Sequence, residues 1–186
     1  QLQRVGRGIY KIGKSTTFKP MLSNKTKKVA NQVKKNFPYI NFCVWELSVV
    51  NQFSQHLINY NVHFVDVERD VVDSVYYNLR ETNSKVMHIK NLYDGLSDWS
   101  DYIIVRSLVS HAPLQEMHKI PVATLEKILV DLFSNKEFIS FQGSEIYTIF
   151  ENALDAYTVN ESAMLRYADR KKKKEKIQSL LKTINA

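Results

Sequence analysis

Residues 62–89 read VHFVDVERDVVDSVYYNLRETNSKVMHI, and this stretch decides the fold class. Residues 62–67 form a run of β-branched and aromatic side chains that suits a buried strand. Over 69–82 the period changes: Val72, Val75, Tyr76 and Leu79 recur at i, i+3, i+4 and i+7, the apolar stripe of an amphipathic helix. Asp70 and Asp73 fall in its first turns, where acids complement the helix dipole. Residues 85–89 return to strand character, so the order is strand, helix, strand.

Working outward, the same alternation continues. A weakly helical pattern over 26–37 closes at Pro38, 41–46 reads as a buried strand, and 47–58 reads as a helix presenting Leu47, Val50, Leu57 and Ile58. Residues 102–108 supply another strand. Residues 120–133 predict a strong helix with Pro121 near its start, a stripe of Leu125, Ile128, Leu129 and Leu132, and Asn135 closing it in a left-handed conformation. Its opposite face carries Lys127 and Asp131, an i,i+4 pair worth a few tenths of a kcal/mol on a solvated helix. Residues 145–157 and about 162–183 are further helices. This order predicts an α/β chain: a mixed sheet of four or five strands with packed helices, closed by C-terminal helices. No internal repeat occurs.

The chain of 186 residues, 44% of them apolar, can bury a real core, as one domain or one domain with a small appendage. Its net charge of +7 is unevenly spread. The first 35 residues carry ten cations and no acid, residues 36–169 carry nine cations against eighteen acids, and residues 170–186 carry seven against one. An acidic body lies between two basic ends, so contacts with a polyanion belong to the ends. Cys43, the single cysteine, sits in the apolar run Phe42-Cys43-Val44-Trp45 and reads as a buried small hydrophobe in a reducing compartment. Nothing resembles a signal peptide or a membrane span, which makes a cytoplasmic location the expectation.

The first thirteen residues, QLQRVGRGIYKIG, read as two short strands joined by a glycine-rich turn. Leu2, Val5, Ile9 and Ile12 are the apolar positions, and Gly6 and Gly8 give the backbone freedom to turn. Arg4, Arg7, Lys11 and Lys14 supply charge suited to DNA phosphates. A two-stranded ribbon is marginal alone in water, so the hairpin predicts that the chain begins inside a domain whose helices precede it. Residues 15–28 read as a polar surface linker. The expected organisation is therefore residues 1–28 as hairpin and basic linker, and residues 29–186 as the α/β domain with its C-terminal helical segment.

Two stretches together resemble one family. Arg4-Val-Gly-Arg-Gly-Ile-Tyr10 looks like the wing of the winged-helix domain in AbiEi-type antitoxins of type IV, abortive-infection toxin–antitoxin systems. Residues 120–133, IPVATLEKILVDLF, are similar to the family's second hallmark, a helix in which a Glu is followed five residues later by an Asp, here Glu126 and Asp131. The resemblance implies a bacterial transcriptional regulator that binds double-stranded DNA of its own promoter and counteracts a nucleotidyltransferase-like toxin, without chemistry or cofactor of its own. The recognition helices that precede the wing in that family are absent from this chain, so only the wing's phosphate-contacting residues carry over: Arg4, Arg7 and Lys11.

Other constellations have plainer readings. Glu126 and Asp131 lie about 140° apart around a helix and cannot chelate one ion, so they read as a structural or partner-facing pair. Arg170, Lys171, Lys172, Lys173 and Lys174 suit a nucleic acid, an acidic toxin surface or plain solvent, because five consecutive cations on a helix cannot form one stripe. His56, His63, His88, His111 and His118 are scattered without metal-ligand spacing. Two alternatives remain open: a plain protein-interaction module, and a Mg²⁺-dependent nuclease of the restriction-endonuclease type using Asp66, Glu68 and Glu46 with Lys90. The nuclease reading lacks the acid-x-Lys pairing on one strand.

Overall fold

The computed structural model describes the backbone of residues 2–6, 9–12, 16–92 and 96–184, and side chains from residue 16 onward except 93–95, 97, 98, 185 and 186. The opening hairpin forms as the glycine-rich turn predicts. Strand β1 (Leu2–Gly6) runs antiparallel to β2 (Ile9–Ile12), with Leu2 opposite Ile12, Arg4 opposite Tyr10, and an irregularity between Arg4 and Gly6.

The segment that follows is not a surface linker. Phe18 is 3% exposed and packs edge-on against Tyr157 at 5.3 Å, while Thr158 N–H donates to the Thr16 carbonyl. Helix α1 (Asn24–Asn36) begins at once, with Ser23 as its N-cap accepting from Thr26 N–H, so a boundary at residue 28 falls inside a helix. Residues 23–28 are the capped start of that helix, which turns Thr26, Val29, Ala30 and Val33 inward.

Six strands, rather than four or five, form one mixed sheet. They are β3 (Phe42–Glu46), β4 (His63–Val67), β5 (Val86–His88), β6 (Ile103–Ser107), β7 (Leu114–Met117) and β8 (Ile120–Ala123), in the order β5-β6-β4-β3-β8-β7. β5, β6 and β4 are mutually parallel, β3 runs antiparallel to β4 and parallel to β8, and β7 is antiparallel to β8. The β7–β8 hairpin escaped the periodicity argument because its two-residue turn is His118-Lys119, with φ of 52° and 65°. Such turns normally announce themselves as Asn-Gly. Pro121 belongs to β8, not to a helix start, and the helix α3 (Leu125–Ser134) begins after its N-cap Thr124.

Side chains alternate between the two faces of the sheet. Val44, Val65, Ile103 and Val105 pack with α1 and α2 (Val72–Thr82), the amphipathic helix expected over 69–82, preceded by a 3-10 turn at Arg69–Val71. Trp45, Phe64 and Ile104 pack on the opposite side with α3, α4 (Ser144–Ala156), α5 (Glu161–Arg170) and α6 (Lys174–Ile184). The helix expected over 47–58 is only a 3-10 stretch, Leu47–Gln52. The Asn51 side chain accepts from Ile58 N–H and donates to its carbonyl, closing a loop that leaves Leu57 81% exposed.

The C-terminal helix is likewise two helices. Lys172 adopts φ 57°, Lys173 N–H donates to the Ala168 carbonyl and Lys172 N–H to that of Asp169, the pair of bonds that ends helices at a left-handed residue. Asn135, expected in that role for α3, is extended at φ −90°, ψ 141°. Among the described residues no helix is long and apolar enough to cross a membrane.

Candidate functional site

The period-2 geometry that buries Phe64 and Ile104 also buries Asp66 and Arg106. They are register partners on the adjacent parallel strands β4 and β6, near the carboxyl ends of both. Arg106 Nε and Nη2 donate to the two oxygens of Asp66, the second at 3.0 Å, as a bidentate pair. The guanidinium lies among aromatic rings, 4.5 Å from the centroid of Phe64 and 5.4 Å from that of Trp45.

Helix α3 adds the second half. Lys127 and Asp131, each 1% exposed, point into the sheet instead of forming a solvated pair. Lys127 Nζ donates to Asp131 at 2.7 Å and to Asp66, and Arg106 Nη2 reaches Asp131 at 3.0 Å. From the C-terminal helices, Tyr167 donates to Asp131 at 2.8 Å and Lys171 Nζ at 2.7 Å. Lys171 also donates to Asn135, and Glu137 accepts from Arg106 Nη1 at 2.7 Å. Asp66, Asp131 and Glu137 thus balance Arg106, Lys127 and Lys171 in charge.

Burial alone would neutralise these groups, and the partners prevent it. For Asp66 and Asp131, desolvation pushes the carboxyl up, but the surrounding cations outweigh it and hold both below the ordinary range. Lys127 and Arg106 are held well above theirs by the same carboxylates, against the pull of burial. Lys171 is the exception: burial lowers it, and Asp131 only partly compensates. Burial pushes Tyr167 and the Cys43 thiol up, with Cys43 Sγ 3.8 Å from Asp66. Asp66, Asp131, Lys127 and Arg106 are thereby held as charges and the phenol and thiol as neutral groups, and the cluster ties β4, β6, α3 and α5 to one point.

A cavity of about 230 Å³ opens beside it, lined by Asp66, Arg106, Lys127, Asp131, Glu137 and Lys171 among others. A second, of about 370 Å³, adjoins it through Val109 and is lined by Glu68, Arg69 and His111 among others.

Among the partner-facing candidates, Lys127, Asp131 and Lys171 belong to this buried network. Glu126 is 9% exposed and accepts from Asn160 N–H at 2.7 Å, holding the start of α5 against α3. Lys127 and Lys171 are corrected from surface to interior, and Glu126 and Asp131 take the structural of their two readings. Arg170 and Lys172 stay exposed, Arg170 donating to Ser110 Oγ at 3.0 Å. Arg4 and Lys11 fall on the strands of the opening hairpin, while Arg7 and Lys14 lie outside the described residues.

The nuclease quartet is not assembled. Asp66 is saturated by cations, Glu68 accepts from Asn41, and Glu46 sits opposite His63 at the far end of the strand pair, accepting from Ser23 N–H and Asn61. Lys90 is exposed. Among the described residues, no three His, Cys, Asp or Glu side chains are grouped to hold a metal ion.

One signal could have revealed the site. Helix α3 carries apolar residues on every side, Leu125, Ile128, Leu129, Val130 and Leu132, and such a helix is buried all round, its charges included. The inward turn of Lys171 had no local signal.

Along its whole length, residues 1–186, the chain matches a family of unknown function, DUF6577. The chain belongs to that family. No curated protein and no solved structure matches it.

Proposed function

We propose that the chain is an antitoxin-like regulator that acts by binding in the bacterial cytoplasm, contacting promoter DNA through its N-terminal hairpin and opposing a nucleotidyltransferase-like toxin through its α/β domain. The observation that carries this reading is the antiparallel pairing of Leu2–Gly6 with Ile9–Ile12, which places Arg4 and Lys11 on a two-stranded ribbon of the kind a wing requires. The first 35 residues add ten cations without an acid, a footprint suited to phosphates. The second resembling stretch orders the α/β domain from its interior. Glu126 anchors α5, and Asp131 gathers α3, α5 and the turn before α6.

The test is a fluorescence-anisotropy titration of duplex DNA from upstream of the gene, beside a scrambled duplex, at several salt concentrations. Comparable, salt-dependent binding to both duplexes is expected, because phosphate contacts carry no sequence information, with log K falling by about 0.9 per phosphate neutralised for each unit of log salt. The double variant Arg4→Ala/Arg7→Ala should flatten that slope by roughly 2. An affinity and a salt slope that the double variant leaves unchanged would overturn the DNA half of the reading. The toxin half predicts salt-sensitive association with the co-encoded nucleotidyltransferase-like protein, and lack of association at low salt would remove it.

A further inference from the structure

The charge cluster is electrically balanced, yet its hydrogen bonds are not. A carboxylate has about four acceptor sites. Asp131 uses them on Tyr167 and Lys171 through Oδ1 and on Arg106 and Lys127 through Oδ2. Asp66 uses its own on Arg106 twice, on Lys127 and on the Cys43 thiol. By number of donors both aspartates are full, three of the four on Asp66 falling on its Oδ2.

The cations are not. An ammonium has three N–H groups and a guanidinium five. Lys127 donates two, to Asp66 and Asp131, and Lys171 donates two, to Asp131 and Asn135. Arg106 donates four, two to Asp66 and one each to Asp131 and Glu137. Each cation therefore keeps one N–H without a protein acceptor among the described residues, and all three line the same cavity.

The cavity stands where an open α/β sheet takes ligands. β4 leads to α2 on one face, β6 leads through the β7–β8 hairpin to α3 on the other, and the cavity lies at the carboxyl ends between them. Its 230 Å³ is several times the roughly 30 Å³ share of one water. Glu137 lines the cavity, its side chain 10% exposed, on a 3-10 turn, with Arg106 Nη1 and Asn135 as its partners. Its carboxylate stands where an incoming anion would meet Arg106.

We propose that this cavity binds the oxyanion group of a small molecule, a carboxylate or phosphate, held by the remaining N–H groups of Arg106, Lys127 and Lys171, and that the anion displaces Glu137. Withdrawal of Glu137 leaves three cations against two carboxylates, so a monoanion restores the balance. The adjoining 370 Å³ cavity beyond Val109 gives space for the rest of the ligand. The site is independent of the hairpin, and its failure leaves the DNA reading untouched.

The experiment is isothermal titration of the whole chain with inorganic phosphate and, separately, with acetate, at ionic strength held constant with chloride. Saturable one-to-one binding of at least one anion is expected, and which one saturates names the group. Glu137→Gln removes the competing charge and should tighten binding about tenfold; Lys171→Met removes a charged donor and should weaken it about tenfold. Glu137→Gln keeps the side chain's size and an acceptor oxygen for Arg106, so it remains informative if Lys171→Met fails to fold. No saturable binding of either anion, or an affinity unmoved by Glu137→Gln, would overturn the proposal.

Discussion

Lys171 Nζ lies 2.7 Å from Asp131 Oδ1 across 40 residues of sequence. That contact turns one member of a five-cation run into the protein, because the left-handed residue Lys172 breaks the helix just beyond it. The run is a folding element on one side and a solvated surface on the other.

Asp131 should be the most sensitive position of the network. Asp131→Ala leaves Arg106, Lys127 and Lys171 short of a shared carboxylate in a buried site, and breaking a buried ion cluster this way costs about 3–5 kcal/mol. A chemical-denaturation midpoint far below that of the parent is expected; a loss under about 1 kcal/mol would show that the cluster is solvated.

Lys171 and Lys172 are neighbours with opposite expectations. Lys171→Met should destabilise by roughly 1–3 kcal/mol, since it leaves acceptors on Asp131 and Asn135 unmet. Lys172→Gly should instead stabilise by about 0.5 kcal/mol, the relief of a left-handed backbone less the entropy of glycine. Thermal melts of the two variants should move in opposite directions.

Acid should unfold the chain through Asp66 and Asp131. Both carboxyls titrate below their unfolded value of about 3.9, so the stability they contribute is complete above that pH and is lost as pH falls through it toward the folded values. Urea midpoints measured downward from about pH 6 should fall steeply below about pH 4. Asp66→Asn should make that fall shallower, and parallel curves for parent and variant would refute the assignment.

His63 predicts a second, milder pH dependence. Its ring lies between Thr26 Oγ1 at 2.8 Å and Asp101 Oδ1 at 3.3 Å, with Glu46 and Lys25 nearby, and burial holds it below its ordinary value despite the two acids. The unfolded chain therefore takes up this proton first, at about pH 6.5, and stability should rise with pH through that region. Removing the imidazole in His63→Gln should flatten the slope between about pH 5 and 7.

Local periodicity determined a great deal here. The strands β3 to β6, the helix α2 and the opening hairpin were legible because each displays its burial pattern within a few residues, and a period of 2 or 3.6 needs no tertiary context. Tertiary structure decided where that pattern is silent or ambiguous. The β7–β8 hairpin turns on non-glycine residues at positive φ, so its connection carries no composition cue. Lys127 and Asp131 read as a solvated pair at i,i+4, and become core only because α3 is packed on every side by the sheet and the later helices. Asp66, Arg106, Lys127, Asp131 and Lys171 come from four separate stretches of chain. Their meeting depends on strand register, helix placement and one left-handed residue together, and charge in a sequence says nothing of which partner lies within hydrogen-bonding distance once water has been excluded.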